Sequence, residues 1–168
     1  MNKEEEFVNL IQENQGLIYK VTMVYSKDKE EQNDLYQEIV YQTWKSFDGF
    51  KKASKPSTWL YRLSMNTAIT HINKSKRKPL MVRLDQSLIN YSEPIDAVKE
   101  EQIQWLYSQI RKLNLLDRGI MFLFLEDKSY EEIAQITGIS TSNVGTRMSR
   151  IKQKLKAAAS PKPITTWN

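Results

Sequence analysis

The sequence predicts an all-α protein with two small helical domains joined by a flexible linker, the second domain ending in a helix-turn-helix. Along most of the chain, apolar residues recur at the three- and four-residue spacing of amphipathic helices. Residues 79–95, which contain prolines and serines and show no clear period, separate two such parts and are expected to form the linker. We therefore predict domains at 1–78 and 96–157, followed by a disordered tail at 158–168.

Two helices are predicted at the start of the first domain. Residues 3–26 carry apolar side chains at helical spacing and are expected to form one long scaffold helix. After a polar break at 27–30, Asn33 or Asp34 begins a second helix that continues to residue 47. The outer face of this helix contains Asp34, Gln37, Glu38, Tyr41, Gln42 and Lys45. Such a mixed face is usually only solvated, but an exposed tyrosine beside carboxylates is also typical of a partner-docking surface.

A basic loop and a third helix follow. Glycine, serine and proline predict a loop over residues 48–56. A helix is then expected over residues 59–74, with Ser57 or Thr58 as its cap. Its core-facing side chains are expected to be Leu60, Leu63, Thr67, Ala68 and Ile72. Aromatic rings between Lys, Arg and Asn residues suit unpaired bases, because rings stack on base faces while cations follow the backbone. An ordinary core position is the alternative for Trp59 and Phe50.

The second domain is expected to begin with two scaffold helices. The first lies around residues 95–113, and Ile103 is one of its inward positions. Asn114 then caps a helix over residues 115–126. Since this helix is strongly apolar, we expect it to form the core of the domain.

A helix-turn-helix is predicted to follow these two helices. Ser129 and Glu132 form a capping box for its first helix, and Gly138 can adopt the positive φ that the turn needs. The second helix opens near Thr141, and its inward face consists of Val144, Met148, Ile151 and Leu155. Roughly opposite lie Asn143, Arg147, Arg150 and Lys154. Because residues 141–156 carry five Lys or Arg and no Asp or Glu, we expect this helix to bind a DNA major groove.

A basic, solvated helix at the end of a bundle is the alternative interpretation of the same periodicity. Such a helix would not require the capping box, the small Ala134 or the turn at Gly138, so the sequence favours DNA binding. Gly145 lies inside the second helix, where glycine costs about 1 kcal/mol relative to alanine. Close approach to DNA is one explanation for this glycine, and the absence of any role is the other.

Charge alternates along the chain in four blocks. Residues 1–48 carry 5 basic and 10 acidic side chains, residues 49–84 carry 9 and none, residues 85–140 carry 5 and 10, and residues 141–168 carry 6 and none. The totals are 25 basic and 20 acidic side chains, a net charge of +5. Two separate cationic blocks suggest two nucleic-acid contacts, with the acidic blocks facing solvent or a protein partner.

Composition argues against several classes of function. The chain has no Cys and a single His, His71, which excludes disulfides and argues against a transition-metal site. It lacks a glycine fingerprint, a phosphate loop, a zinc-binding helix motif and a nucleophile elbow, so neither an enzyme nor a bound cofactor is expected. Without a long apolar run or an N-terminal signal region, we expect a cytoplasmic protein that does not insert into membranes.

Three segments in order resemble one family, the bacterial RNA polymerase sigma factors of the extracytoplasmic-function (group IV) type in the sigma-70 family. The family's core-binding segment is similar to Asp34-Leu35-Tyr36-Gln37-Glu38 and its continuation through Phe47. Its −10 recognition and melting helix is similar to Ser57-Thr58-Trp59-Leu60-Tyr61-Arg62-Leu63, with Asn66 and Lys76-Arg77-Lys78. Its −35 helix-turn-helix is similar to residues 129–155, preceded by Leu113 and Arg118. The chain departs from the family at Asn114, where proline is usual, and at Gly145, where lysine is usual.

The resemblance implies roles for individual residues. Contact with the clamp of the RNA polymerase core is implied for Asp34, Leu35, Gln37, Glu38, Tyr41, Gln42 and Lys45. Contact with single-stranded −10 DNA is implied for Lys51, Lys52, Lys55, Trp59, Tyr61, Arg62, Asn66, Asn73, Lys74 and Arg77. Contact with duplex −35 DNA is implied for Ser142, Asn143, Thr146, Arg147, Arg150 and Lys154. Arg147→Ala is expected to lose −35 discrimination, whereas Lys154→Ala should weaken binding evenly; an anti-sigma factor is a further expected partner.

Two other classes of protein stay open at this point. A free-standing helix-turn-helix regulator would explain residues 129–156, but it leaves the acidic helix at 34–47 and the first basic block without a role. An adaptor protein that uses the 34–47 face would bind no DNA. Dependence on RNA polymerase distinguishes the sigma factor from the regulator, and DNA binding distinguishes both from the adaptor.

Overall fold

The chain is helical in both of its parts. The computed structural model describes residues 2–50, 55–74 and 97–159, with side chains from residue 100 in the last range. Within these ranges the regular structure is α-helix and one short 3-10 turn, without any strand. The chain divides into two compact units, Met1–Ile95 and Asp96–Asn168. The predicted all-α class is confirmed.

Unit 1 begins with two short helices where the sequence predicted one. These are α1 (Lys3–Glu13) and α2 (Gln15–Tyr25). The break lies at Asn14, whose backbone leaves the helical region at φ −121 and ψ 19. Its side-chain amide donates a hydrogen bond to the Leu10 carbonyl oxygen at 2.8 Å. An Asn side chain that bonds nearby backbone in this way competes with helix continuation, which explains the interruption.

The next helix, α3 (Lys29–Ser46), begins earlier than predicted. Its N-cap is Asp28, whose side chain accepts a hydrogen bond from the Glu31 backbone N–H at 2.8 Å. The prediction of a start at residue 33 or 34 was wrong, because the polar residues 27–30 supply the cap and the first turn. A 3-10 turn, Phe47–Gly49, follows α3.

Helix α4 (Pro56–Asn73) completes unit 1 and packs against both α2 and α3. Pro56 occupies the first turn, where its fixed φ and missing N–H are tolerated, so neither Ser57 nor Thr58 is the cap. The buried side chains of α4 are Leu60, Tyr61, Ser64, Met65 and Ala68. Tyr61 and Met65 were not among the side chains expected to face the core, and they are buried because α4 packs on two helices at once.

The described part of unit 2, residues 97–159, contains four helices. They are α5 (Ala97–Ile110), α6 (Leu115–Leu125), α7 (Tyr130–Thr137) and α8 (Thr141–Ala159). Helix α6 packs against α7 and α8, and these two pack against each other. The expected helix-turn-helix therefore lies against a common core helix.

Helix α6 is the centre of unit 2. Ile120, Phe122 and Leu123 on this helix are fully buried. Asn114 caps it as predicted, since its side-chain oxygen accepts a hydrogen bond from the Asp117 backbone N–H at 2.9 Å. Ile103 on α5 was expected to face inward but is 41% exposed.

Several predictions fall outside the residues that the structure describes. These are the linker at 79–95 and the tail from residue 160 onward. The tail was expected to begin at residue 158, whereas α8 continues to Ala159. None of the described helices is both long and apolar enough to cross a lipid bilayer.

Candidate nucleic-acid interfaces

The first helix of the helix-turn-helix begins with the predicted capping box. The Glu132 backbone N–H donates to the Ser129 hydroxyl oxygen at 3.1 Å, and the Ser129 backbone N–H donates to Glu132 Oε1 at 3.2 Å. Two backbone donors at the helix start are thereby satisfied. The Ile133 and Ile136 side chains of the same helix are buried, so the cap fixes α7 where its apolar face meets α6 and α8.

The turn between α7 and α8 depends on Gly138. Its φ is +82, in the left-handed region, and its N–H donates to the Ala134 carbonyl oxygen at 2.8 Å. Glycine reaches this conformation without the steric cost of a Cβ atom. Ser140 then starts α8, with its hydroxyl oxygen accepting a hydrogen bond from the Asn143 N–H at 3.1 Å.

Helix α8 buries one side and exposes the other along its whole length. Val144, Met148 and Ile151 are buried, as predicted. The opposite side carries four exposed uncharged polar side chains at three- and four-residue spacing, which we call the α8 polar stripe: Ser142, Thr146, Ser149 and Gln153. Exposed Asn143 and Arg150 lie beside this stripe. Because one face is continuous over three turns, it can follow the floor of a DNA major groove.

Two members of the α8 polar stripe, Ser149 and Gln153, were not singled out from the sequence. Both are exposed and both continue the line of Ser142 and Thr146. Beyond Thr146, the residues expected at −35 were all cations, so these two uncharged side chains were left out. The helical spacing alone, continued from Thr146, would have found them.

Among the predicted −35 residues, Arg147 is distinguished by an ion pair with another helix of unit 2. Its Nη1 atom lies 2.9 Å from Asp117 Oδ1 on α6. Its Nε–H donates to Asn143 Oδ1 at 3.3 Å. The side chain is 31% exposed, and that of Asp117 only 10%. The structure therefore gives this guanidinium a partner inside the protein.

The lysines near the end of α8 lie on two flanks of the helix. Lys152 places its Nζ atom 4.7 Å from the centre of the Phe124 ring, a cation–π contact with α6. Lys154 is exposed and follows Arg147 by two turns, on the flank that also carries Arg150. Of these two lysines, Lys154 is therefore on the better side for a phosphate beside the α8 polar stripe.

A second polar surface without carboxylates lies on α4. It consists of exposed side chains on one face, which we call the α4 polar stripe: Arg62, Asn66, Thr70 and Asn73. Half-buried Trp59 precedes it on the same face. The Trp59 ring stacks on the Phe50 ring, with ring centres 4.6 Å apart and planes at 29°. Lys55 and Lys74, exposed at the two ends of α4, complete a cationic boundary.

Not every residue expected at −10 lies on this surface. Tyr61 is only 6% exposed and belongs to the core between α4 and its neighbours. Lys51, Lys52 and Arg77 fall outside the described residues. Thr70 was not predicted, although its spacing from Asn66 and Asn73 places it in the same stripe.

The expected core-binding residues, except Leu35, lie together on one side of α3. We call this side the α3 outer face: Asp34, Gln37, Glu38, Tyr41, Gln42 and Lys45. Gln42 Nε2 donates to Glu38 Oε1 at 3.0 Å, and Lys45 Nζ lies 5.5 Å from the centre of the Tyr41 ring. Asp34, which belongs to neither pair, is exposed. Leu35 is fully buried, so it supports the helix from the core and does not lie on this face.

Comparison with known families accounts for both units. A model of sigma-70 region 2 matches residues 10–78, and a model of sigma-70 region 4 matches residues 103–155. The first match includes α2, α3 and α4, and the second includes α6, α7 and most of α8. The two regions occur in one chain and in this order. The chain belongs to the sigma-70 family of sigma factors.

This sigma factor is similar over most of its length to sigma factors of the extracytoplasmic-function type. It is 27% identical over 146 residues to RNA polymerase sigma factor SigV of Bacillus subtilis, covering 85% of this chain and 84% of the relative. It is also 27% identical over 165 residues to the ECF RNA polymerase sigma factor SigW of the same organism, covering 91% and 88%. The predicted extracytoplasmic-function type is thereby confirmed.

A solved structure shares the fold of this sigma factor. It is that of the sigma factor RpoE in complex with the anti-sigma factor NepR, from Bartonella quintana. The TM-score is 0.66 with 17% identity, and the likeness covers 95% of this chain and 97% of the other. As a sigma factor, the protein binds RNA polymerase core and directs promoter-specific initiation. The free-standing regulator is not favoured, because region 2 accounts for the first unit.

Among the described residues, no three His, Asp or Glu side chains are grouped so that they could hold a metal ion. Burial lowers the pKa of the Arg111 guanidinium below its ordinary value, and nearby Arg118 lowers it further. The side-chain Nε–H of Arg118 donates to the Leu113 carbonyl oxygen at 2.9 Å, which ties the start of α6 to the loop before it.

Proposed function

We propose that each of the three exposed surfaces makes a different contact during initiation. The α3 outer face docks on the clamp of core polymerase, the α4 polar stripe holds unpaired −10 bases, and the α8 polar stripe enters the −35 major groove. The observation that carries the proposal is the face of α8, which is polar and cationic along its length, without a carboxylate, on a helix-turn-helix. A carboxylate there would repel the phosphates of the groove walls.

At the −35 element, the side chains that discriminate between bases are those with exposed hydrogen-bond donors and acceptors. Ser142, Asn143 and Thr146 lie near the start of α8, where a recognition helix contacts base edges. Arg150 suits a bidentate pair with guanine, and such a pair discriminates by about 1–3 kcal/mol. Lys154 lies where it can neutralise a phosphate, which adds affinity without sequence preference.

At the −10 element, the stacked pair of Phe50 and Trp59 offers a ring face to an unpaired base. Stacking of this kind contributes about 1–3 kcal/mol per base and tolerates different sequences. Arg62, Asn66 and Asn73 continue along the helix from that ring and supply donors for the strand. The absence of any acidic residue between 49 and 84 supports the same role.

The α3 outer face suits a partner that offers cations. Asp34 and Glu38 lie one turn apart on it, and the Glu38–Gln42 and Tyr41–Lys45 pairs hold their side chains in place before docking. The opposite charge of this face and the two DNA surfaces keeps the polymerase contact distinct from the DNA contacts.

An anti-sigma factor is a further proposed partner, since the RpoE relative in the solved structure is bound to NepR. We also propose that the protein contributes no bond chemistry and needs no cofactor, because its role is binding. Its place of action is then the cytoplasm, where polymerase and promoter DNA meet.

Run-off transcription from a pool of randomised promoters tests the proposed function. Bacterial core polymerase is supplied with and without the protein, and the transcripts are sequenced. We expect transcripts only with the protein, sharing two sequence blocks upstream of the start. Binding of duplex DNA by the protein alone, together with no initiation and no binding to core polymerase, would overturn the proposal.

The core-binding surface has its own test, the substitution Asp34→Lys. It reverses one exposed charge on the α3 outer face and should weaken binding to core polymerase about tenfold, because a like charge then meets the basic partner. Glu13→Lys is the matched control, an equal charge reversal at an exposed position on α1. Affinity for core polymerase is measured by fluorescence anisotropy of labelled protein. Equal losses from both variants would show that only net charge matters.

A further inference from the structure

The ion pair between Arg147 and Asp117 joins helices that are thirty residues apart in sequence. Arg147 lies on α8, the helix proposed to enter the groove, and Asp117 lies in the first turn of α6. The Nη1–Oδ1 distance is 2.9 Å. Since α6 is the core helix of unit 2, this pair attaches the recognition helix to the most buried element of the unit.

The Asp117 carboxylate is held on its other side as well. Its Oδ2 atom lies 3.0 Å from Asn114 Nδ2, which donates to it, and its backbone N–H donates to Asn114 Oδ1 at 2.9 Å. Asn114 is also the N-cap of α6. Both carboxylate oxygens therefore have donors, and the group sits at the positive end of a helix dipole. Asp117 is a fixed anchor with little freedom to turn.

On the DNA side, Arg147 holds a neighbour. Its Nε–H donates to Asn143 Oδ1 at 3.3 Å, one turn earlier on α8. The chain of contacts thus runs from Asn114 through Asp117 and Arg147 to Asn143. It begins at the cap of the core helix and ends at an exposed side chain of the proposed DNA surface. With its oxygen engaged, Asn143 presents its two N–H donors outward.

A guanidinium with these partners is poorly suited to base recognition. Its charge is matched by a carboxylate that is 10% exposed, and its own side chain is 31% exposed. Reaching a base edge would require breaking the pair and leaving that carboxylate partly buried, which is costly. Arg150, one turn further along the helix, is exposed and lies beside the α8 polar stripe.

We propose that Arg147 is a positioning residue for −35 recognition, which sets the orientation of α8 and of Asn143 through Asp117, and that Arg150 is the arginine that contacts bases. This inference rests on the proposed −35 role of α8. It differs from the expectation from sequence, in which Arg147 contacts the −35 duplex directly and Arg147→Ala loses −35 discrimination. Loss of Arg147 instead lowers promoter affinity by a similar factor, whichever −35 base is changed.

The test is promoter binding by the holoenzyme, reconstituted from core polymerase and the full chain. Affinity is measured over a range of salt concentrations, on a promoter selected from the randomised pool and on variants with each single-base change in the −35 element. Arg147→Gln is expected to lose about three- to tenfold in affinity on every promoter, with the salt slope unchanged. Arg150→Gln, the matched variant, should lower the salt slope and relax preference at one or two base pairs.

A double-mutant cycle with Asp117→Asn separates positioning from contact with DNA. If Arg147 acts through Asp117, Arg147→Gln should have little further effect once Asp117→Asn is present. Arg147→Lys, which keeps a cation within reach of Asp117, should restore most of the affinity with base preferences unaltered. Circular dichroism checks that each variant is folded. If Arg147→Gln is unfolded, the base preferences are measured on Arg147→Lys instead.

Two results would overturn the inference. One is relaxed preference at a single −35 base pair in Arg147→Gln or Arg147→Lys, and the other is an unchanged effect of Arg147→Gln in the Asp117→Asn background. Initiation by the wild-type chain is measured first. If the wild-type chain does not initiate, the proposed function is overturned, and the inference with it. If the wild-type chain initiates but a variant gives one of these two results, the inference alone is overturned.

Discussion

At the scale of single residues, two positions have a positive φ among those that the structure describes. Gly138 has φ +82 in the turn before α8, and Asp127 has φ 61 in the connection between α6 and α7. Glycine adopts this region freely, while aspartate is one of the few other residues that tolerate it. Asp127 precedes α7 and Gly138 precedes α8, so each sets the backbone path into the helix that follows it.

Gly145 is a glycine without such a requirement. A Cβ atom added there would lie 3.8 Å from Tyr130 Cε2, an ordinary van der Waals distance. We therefore expect Gly145→Ala to raise the free energy of unfolding by about 0.5–1 kcal/mol, because alanine loses less backbone entropy in a helix. Urea denaturation measures the change. Gly138→Ala is the control and should lower stability by about 1 kcal/mol, since alanine is strained at that φ.

The same variant decides whether the glycine has a role in DNA binding. If Gly145→Ala is more stable but weakens holoenzyme binding to the promoter, the glycine is kept for close approach to DNA. Unchanged promoter affinity would mean that the position is tolerated without such a role. A loss of stability in Gly145→Ala would contradict the packing inferred from the Tyr130 contact.

At the scale of elements, helix starts are determined by short-range hydrogen bonds. Asp28, Asn114 and Ser129 each cap a helix through a side-chain oxygen that accepts a backbone N–H three residues later. A cap of this kind contributes about 1 kcal/mol. The helix that carries the α3 outer face, the core helix α6 and the first helix of the helix-turn-helix are therefore fixed at their first turns.

The start of α3 is tested by Asp28→Ala, which removes the oxygen that accepts the Glu31 N–H at 2.8 Å. We expect a loss of about 1 kcal/mol in the free energy of unfolding, measured by thermal or urea denaturation. Asn33→Ala is the matched control, because residue 33 is exposed within the helix and alanine is the better helix former. The control should be neutral or slightly stabilising. The reverse order of effects would support a helix start at residue 33.

At the scale of the whole molecule, the net charge of +5 is the sum of acidic and basic segments that alternate along the chain. The α3 outer face, with two carboxylates and one lysine, belongs to unit 1, which also carries the acid-free α4 polar stripe, and the acid-free α8 lies in unit 2. The carboxylates of the α3 outer face are thus separate from the two surfaces proposed to bind DNA. A protein arranged in this way can bind a basic protein and anionic DNA at the same time without exchanging the two partners.

Lys154 and Lys152 provide a test of how this charge acts on DNA. Lys154→Gln should lower promoter affinity evenly across sequences and reduce the slope of log affinity against log salt by about 0.9, the value for one lost phosphate contact. Lys152→Gln, a change of the same charge on the other flank, should alter the slope much less, because Lys152 lies over the Phe124 ring. Equal slopes for the two variants would contradict this assignment of flanks.

Much of this architecture could be predicted from sequence because it depends on local interactions. The capping box at Ser129, the cap at Asn114 and the turn at Gly138 each involve residues within a few positions of one another, and all three are present. The buried face of α8 follows from helical spacing in the same way. The order of two helical parts, and the resemblance of both to sigma factor regions, needed no tertiary information.

The tertiary structure decided those features in which a residue distant in sequence competes with local preference. Packing of α4 on two helices buried Tyr61 and Met65, which were not among the expected core-facing side chains. Arg147, expected at the −35 surface, pairs with Asp117, which lies thirty residues away in sequence on another helix. Helical spacing determines which residues share a face, but only the neighbouring helices determine which face is buried and which charges already have partners. The sequence by itself therefore determined the fold class and the DNA-binding motif, and tertiary packing decided which side chains remain available to DNA.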